Sequence, residues 1–86
     1  MANISSQKKR ILRTERERAE NRHYTSSVKT HFRRLEAAVE AKDAEVTEAS
    51  FRELCSRIDR AVRSGALHRN TGSRKKARAM RLRTSL

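Results

Sequence analysis

Apolar side chains recur at helical spacing in two stretches of this chain. Val28, Phe32, Leu35 and Val39 fall at i, i+4, i+7 and i+11, which is one stripe of a helix. Phe51, Leu54, Cys55, Ile58 and Val62 lie within about 100° of one another on a helical wheel, the width of a core-facing stripe. Arg57, Arg60 and Arg63 fall on the opposite side. Nowhere do apolar and polar residues alternate over a run, as a half-buried strand requires. Proline is absent, and glycine occurs only at Gly65 and Gly72. The pattern predicts an all-α fold, a three-helix bundle, and residues 1–86 as a single helical domain.

The first helix is predicted over about residues 7–40, started by a Ser5 or Ser6 cap and stopped at "AKD", residues 41–43. At 1.5 Å per residue it would be roughly 50 Å long. A compact domain of this size has a diameter near ~30 Å, so one end must project. Between residues 7 and 27 the apolar residues are Ile11, Leu12, Ala19 and Tyr24, with no sustained stripe. Residues 1–25 are therefore expected to form a projecting basic rod that frays in the free protein. Asp43 caps a second helix over 44–64, and Gly65 is placed for a left-handed stop. The short link makes these two helices antiparallel neighbours. A third helix is predicted over 71–84 with Asn70 as its N-cap. Ser73, Ala77, Met80 and Thr84 form its small apolar face, expected to lean on the bundle, while Arg74, Arg78 and Arg81 face out. Gly72 weakens the first turn of that helix. This layout is expected to bring His68–Lys76 beside Arg16–Arg22 as one positive surface.

Charge decides what such a scaffold would meet. The 86 residues carry Lys+Arg 22 against Asp+Glu 10, a net +12. That balance points to a polyanion, nucleic acid above all. Like charge opposes compaction, and a core this small supplies only about 3–5 kcal/mol, so a neutralising partner is expected. A membrane role is disfavoured: no stretch approaches the roughly 18 apolar residues of a span, and the basic rod lacks a broad apolar face. "MANISSQKKR" lacks the apolar run of a signal peptide. One cysteine, Cys55, excludes an internal disulfide and fits a reducing cytoplasm; on the core stripe it reads as an inert buried thiol. His23, His31 and His68 lack metal-ligand spacing, so neither metal nor cofactor is expected. No Gly-rich phosphate loop or carboxylate pair supports catalysis. Phe32 and Phe51 lie on core stripes, which leaves only Tyr24 to stack on a base, so recognition of single strands by aromatics is not expected.

The candidate binding residues fall in two sets. In the rod, Lys8, Lys9, Arg10, Arg13, Arg16, Arg18 and Arg22 project in nearly all directions, with Glu15, Glu17 and Glu20 spaced to pair with some of them. A core has no use for charge on every side, whereas phosphates do. The second set is His68, Arg69, Asn70, Arg74, Lys75, Lys76, Arg78 and Arg81. Arginine suits phosphate because its planar fork donates two parallel hydrogen bonds. In "LHRN", His68 and Asn70 either bond phosphate, ribose or a base edge at a helix N-terminus, or merely pack and cap. Charge alone also permits a nucleoid-type DNA-binding protein or the capture of an acidic protein.

Several of these segments, in order, resemble the bacterial ribosomal protein S20 family across the whole chain. "MANISSQKKR" looks like its start, and "ALHRN" at 66–70 and "RKKARAMRL" at 74–82 look like its basic C-terminal part. Ser5, Lys42, Gly72 and Ser73 depart from residues common there. The resemblance implies a three-helix bundle with a long first helix that binds 16S rRNA directly in the small ribosomal subunit. It supports Lys8, Lys9, Arg10, His68, Asn70, Lys75 and Lys76 as RNA-facing. It also implies a cytoplasmic, ribosome-bound protein with few protein contacts and no homo-oligomer.

Overall fold

The computed structural model describes residues 4–86; Met1–Asn3, including the start of "MANISSQKKR", lie outside it. Three helices follow one another, α1 (Ile4–Glu40), α2 (Ala44–Arg63) and α3 (Arg69–Thr84), with no strand among the described residues. Ile4 is already helical, so neither Ser5 nor Ser6 caps α1. Both serines are instead helical residues of α1 and exposed.

The reversal between α1 and α2 is built by Ala41, Lys42 and Asp43. Lys42 N–H donates to Val39 C=O at 3.0 Å and Asp43 N–H to Ala38 C=O at 3.2 Å, the paired bonds of a Schellman stop. That motif needs a left-handed residue, and Lys42 supplies it at φ 57°. Asp43 then caps α2, its carboxylate accepting from Val46 N–H at 3.1 Å. The stop of α2 repeats the device with Gly65 at φ 85°: Gly65 N–H donates to Val62 C=O and Ala66 N–H to Ala61 C=O. The third helix begins earlier than Asn70 suggested. His68 is the cap, its Nδ1 accepting from Asn70 N–H at 3.1 Å, and Arg69 is the first helical residue.

The core lies between the second half of α1 and the length of α2. Val28, Phe32, Leu35 and Ala38 of α1 meet Leu54, Ile58 and Ala61 of α2, all buried. At about 25 cal/mol per Å² of apolar surface, burial on this scale holds a small bundle but leaves nothing for the rod. Phe51, Cys55 and Val62 are only half-buried, since they face α3, the thinnest cover.

How α3 docks differs from the expectation. Ser73, Ala77, Met80 and Thr84 are exposed; the packed face carries buried Gly72 and Ala79 with half-buried Lys75, Lys76, Leu82 and Arg83. Gly72 is the reason. A Cβ there would stand 2.5 Å from Val62 Cγ2, so the missing side chain is what lets α3 approach α2. The pairs Gly72–Val62, Lys76–Asp59 and Arg83–Phe51 show α3 running antiparallel to α2. It therefore runs parallel to α1 and away from the N-terminus. The described chain measures 63 × 21 × 13 Å with a radius of gyration of 17.2 Å, well above the ~12 Å of a compact chain this long.

Candidate nucleic-acid interface

Every residue from Ile4 to Glu20 is exposed, as is Arg22. Lys8, Lys9, Arg10, Arg13, Arg16, Arg18 and Arg22 thus stand on an uncovered helix, and Lys9, Arg10 and Arg13 share one of its faces. Of the three acids there, only Glu17 is ion-paired among the described residues, with Arg13 at 3.3 Å. That pair is solvent-exposed and contributes little, ~0.3–0.5 kcal/mol at most. Helix is maintained this far by propagation from the packed half, since extending a helix costs far less than nucleating one. Tyr24, the one aromatic outside the core stripes, is half-buried and packs against the core edge, so it offers no free stacking platform.

The basic residues of α3 divide by what they touch. Arg69, Arg74 and Arg81 are exposed and make no ion pair among the described residues. Lys76 is ion-paired to Asp59. Arg78 pairs with Glu36 at 3.5 Å and lies over the Phe32 ring, 5.2 Å from its centroid. Lys75 reaches the same ring at 5.9 Å. Arg83, absent from the candidate set, stacks on Phe51 at 4.6 Å and pairs with Glu48 at 3.6 Å. These cations fasten α3 to a bundle it can barely grip with apolar side chains. Asn70 and His68 are exposed at the helix start, with the His68 Nδ1 engaged in capping.

The two sets meet less fully than expected. Leu67 lines a groove with Thr25 and Val28, so the α2–α3 loop reaches the level just beyond Arg22. From His68 onward, however, the chain turns away from the rod: Lys75 is already opposite Phe32 and Arg78 opposite Glu36. Only the His68–Arg69 end stands near the base of the rod, because α3 must return along α2. In place of that junction the structure lines up two cations the sequence reading missed, Lys29 and Arg33, which share the groove with Lys75 and Arg78. Their signal was present: Arg18, Arg22, Lys29 and Arg33 fall within about 60° on a helical wheel.

Titratable groups elsewhere bear on stability. Burial holds the His31 imidazole below its ordinary pKa, aided by Arg34 and Arg57 and opposed by Glu53. The Glu53 carboxyl is lowered chiefly by the Arg57 Nε–H donating to it at 2.8 Å. Cys55 is half-buried rather than buried, and desolvation raises its thiol pKa against the pull of Lys76 and Arg83, so it remains a poor nucleophile. Among the described residues no cluster of His, Cys, Asp and Glu could hold a metal, and no helix is long and apolar enough to cross a membrane.

Fold and charge together define a class: a small all-helical protein with a slight core and a cationic surface far larger than that core requires. Comparison with known proteins narrows it. The model of the family described as ribosomal protein S20 matches residues 2–83. The chain is 44% identical over 77 residues to small ribosomal subunit protein bS20 of Kocuria rhizophila, covering 90% of each chain. It is 43% identical over 89 aligned positions to that of Acaryochloris marina, 95% of each, and 44% over 78 residues to that of Clostridium beijerinckii, 91% of this chain and 90% of the other. The chain belongs to the ribosomal protein S20 family.

Proposed function

We propose that this protein is a structural constituent of the small ribosomal subunit, bound directly to 16S rRNA on the ribosome in the cytoplasm. The observation that carries the reading is the rod: seven cations on an exposed helix that none of the described residues covers. Free in water such a segment repels itself; set between RNA helices, it neutralises phosphates approaching from several sides. Its relatives, named as small-subunit proteins, support the setting. A-form RNA has a deep, narrow major groove that side chains read poorly, so phosphate and shape contacts dominate over base readout.

Within this reading Lys8, Lys9, Arg10, Arg16, Arg18 and Arg22 act as direct phosphate ligands, joined by Arg69, Arg74 and Arg81. Arg13, Lys76 and Arg78 are each paired with a carboxylate within the chain and contribute less, while Lys75 keeps its full charge beside the Phe32 ring. Filter binding to 16S rRNA over a salt series tests it. If these nine direct ligands each meet a phosphate, log Kd against log salt has a slope on the order of 6–8. A flat response overturns the phosphate-contact reading altogether, and equal displacement by duplex DNA overturns the rRNA assignment in favour of a nucleoid-type binder.

A further inference from the structure

The bundle half of the molecule carries a second basic feature that the rod does not explain. Between α1 and α3 runs an open groove of about 550 Å³. Val28, Phe32 and Leu67 line its apolar part, and Lys29, Arg33, Lys75 and Arg78 its cationic part. Lys75 and Arg78 are held over the Phe32 ring at 5.9 and 5.2 Å, which fixes their heads in place before any ligand arrives. Lys29 and Arg33 are exposed and unpaired among the described residues. The single carboxylate, Glu36, lies at the Arg78 end and already pairs with it. The Thr25 hydroxyl donates to the carbonyls of Asn21 and Arg22, so the chain's own cations are the donors available at the other end.

We propose that this groove is a distinct phosphate-binding cleft, seating the sugar–phosphate backbone of the RNA strand that the rod leads in. It deepens the rRNA-binding reading and rests on it. Charge complementarity selects the occupant: four cations face one carboxylate, and that carboxylate repels an anion toward the Lys29–Lys75 end. Continuity selects the route. Arg18, Arg22, Lys29 and Arg33 make one stripe of α1 about 22 Å long, which runs from the exposed rod into the cleft. Phe32 is 8% exposed, too covered to stack on a base, so the cleft recognises backbone and not sequence.

Lysine acetylation of the full chain, free and bound to 16S rRNA, tests the cleft by mass spectrometry. Lys29 and Lys75 are expected to lose reactivity severalfold in the complex, while Lys42, exposed at the α1–α2 turn, keeps it. In parallel, Lys29→Gln/Arg33→Gln is expected to lower the salt slope by ~1.5, about 0.7–0.9 for each phosphate that is no longer neutralised. Both positions are exposed, so the variant should fold, and circular dichroism verifies that it does. The charge-matched Lys42→Gln/Arg52→Gln should leave the slope unchanged. Protection at Lys8 and Lys9 without protection at Lys29 and Lys75, or equal slopes for the two double variants, overturns the cleft and leaves the rod standing. No protection at any lysine overturns the RNA reading itself.

Discussion

Two halves of one helix carry dense positive charge and are held in opposite ways. From Ile4 to Glu20, α1 is exposed all round and rests on intrinsic propensity and its covalent continuation. From Val28 to Ala38 the same helix buries Val28, His31, Phe32, Leu35 and Ala38. The difference shows that charge does not prevent this chain from folding where one stripe stays apolar. It also shows that where no stripe exists, the fold has no means of protecting the backbone. Cations follow suit: in the rod all but Arg13 stay free of ion pairs among the described residues, whereas on the bundle Lys75, Arg78 and Arg83 lie against Phe32 and Phe51 and help close the core.

The sharpest way to break the comparison is to truncate one leucine in each half. Leu35→Ala removes a side chain with no exposure and is expected to cost about 2–5 kcal/mol, read from the urea midpoint. Leu12→Ala, at a position 62% exposed, should stay within ~0.5 kcal/mol. A large loss at Leu12 would mean the rod packs on something the structure does not contain. Next in size is Gly72→Ala. Helix propensity favours alanine by about 1 kcal/mol, but the 2.5 Å approach to Val62 opposes it, and a valine on a helix cannot rotate away. A net loss of about 1–2 kcal/mol is expected, typical of overpacking. Adding Val62→Ala should recover part of it; no recovery would locate the strain elsewhere.

Smaller effects sharpen the same contrast. The Thr47 hydroxyl is buried and unpartnered, so Thr47→Val should raise stability by about 1 kcal/mol. In the rod, Thr14 donates to the Arg10 carbonyl at 2.9 Å in the open, and Thr14→Val should change little. An equal effect at both sites would contradict the burial of the unpartnered Thr47 hydroxyl. Acidification should weaken the bundle. His31 has a folded pKa below its unfolded value near 6.5, so its contribution is fully present above pH 6.5. It declines as the pH falls below 6.5, because the unfolded chain takes up the proton first. Glu53, also lowered, acts in the same direction below its unfolded value near 4.5. His31→Gln should abolish the first decline in a pH series of thermal melts. Amide exchange over Ile4–Arg22 should be fast and, once corrected for intrinsic rates, indifferent to that titration. Strong protection at Arg13–Arg22 in the free protein would erase the distinction between the halves.

Local signals sufficed for much of this molecule. Helical periodicity announced α1 and α2, Asp43 and Gly65 marked their turns, and the absence of a stripe before Val28 singled out the rod. Each rests on residues within a few positions of one another, which is the range of caps, turns and helical faces. The docking of α3 could not be read that way, and Ala77 and Met80 were the wrong face. Its sixteen residues include too few apolar side chains to declare a side. What orients it are Gly72 against Val62, Lys75 and Arg78 on Phe32, and Arg83 on Phe51, pairs formed between residues distant in the chain. The groove of Lys29, Arg33, Lys75 and Arg78 exists only once that choice is made. Composition and order thus determined how many helices there are and that their charge exceeds the needs of the core. Tertiary packing alone decided which cations remain free for a partner, because a cation's neighbours are set by close approach between helices and not by its place along one.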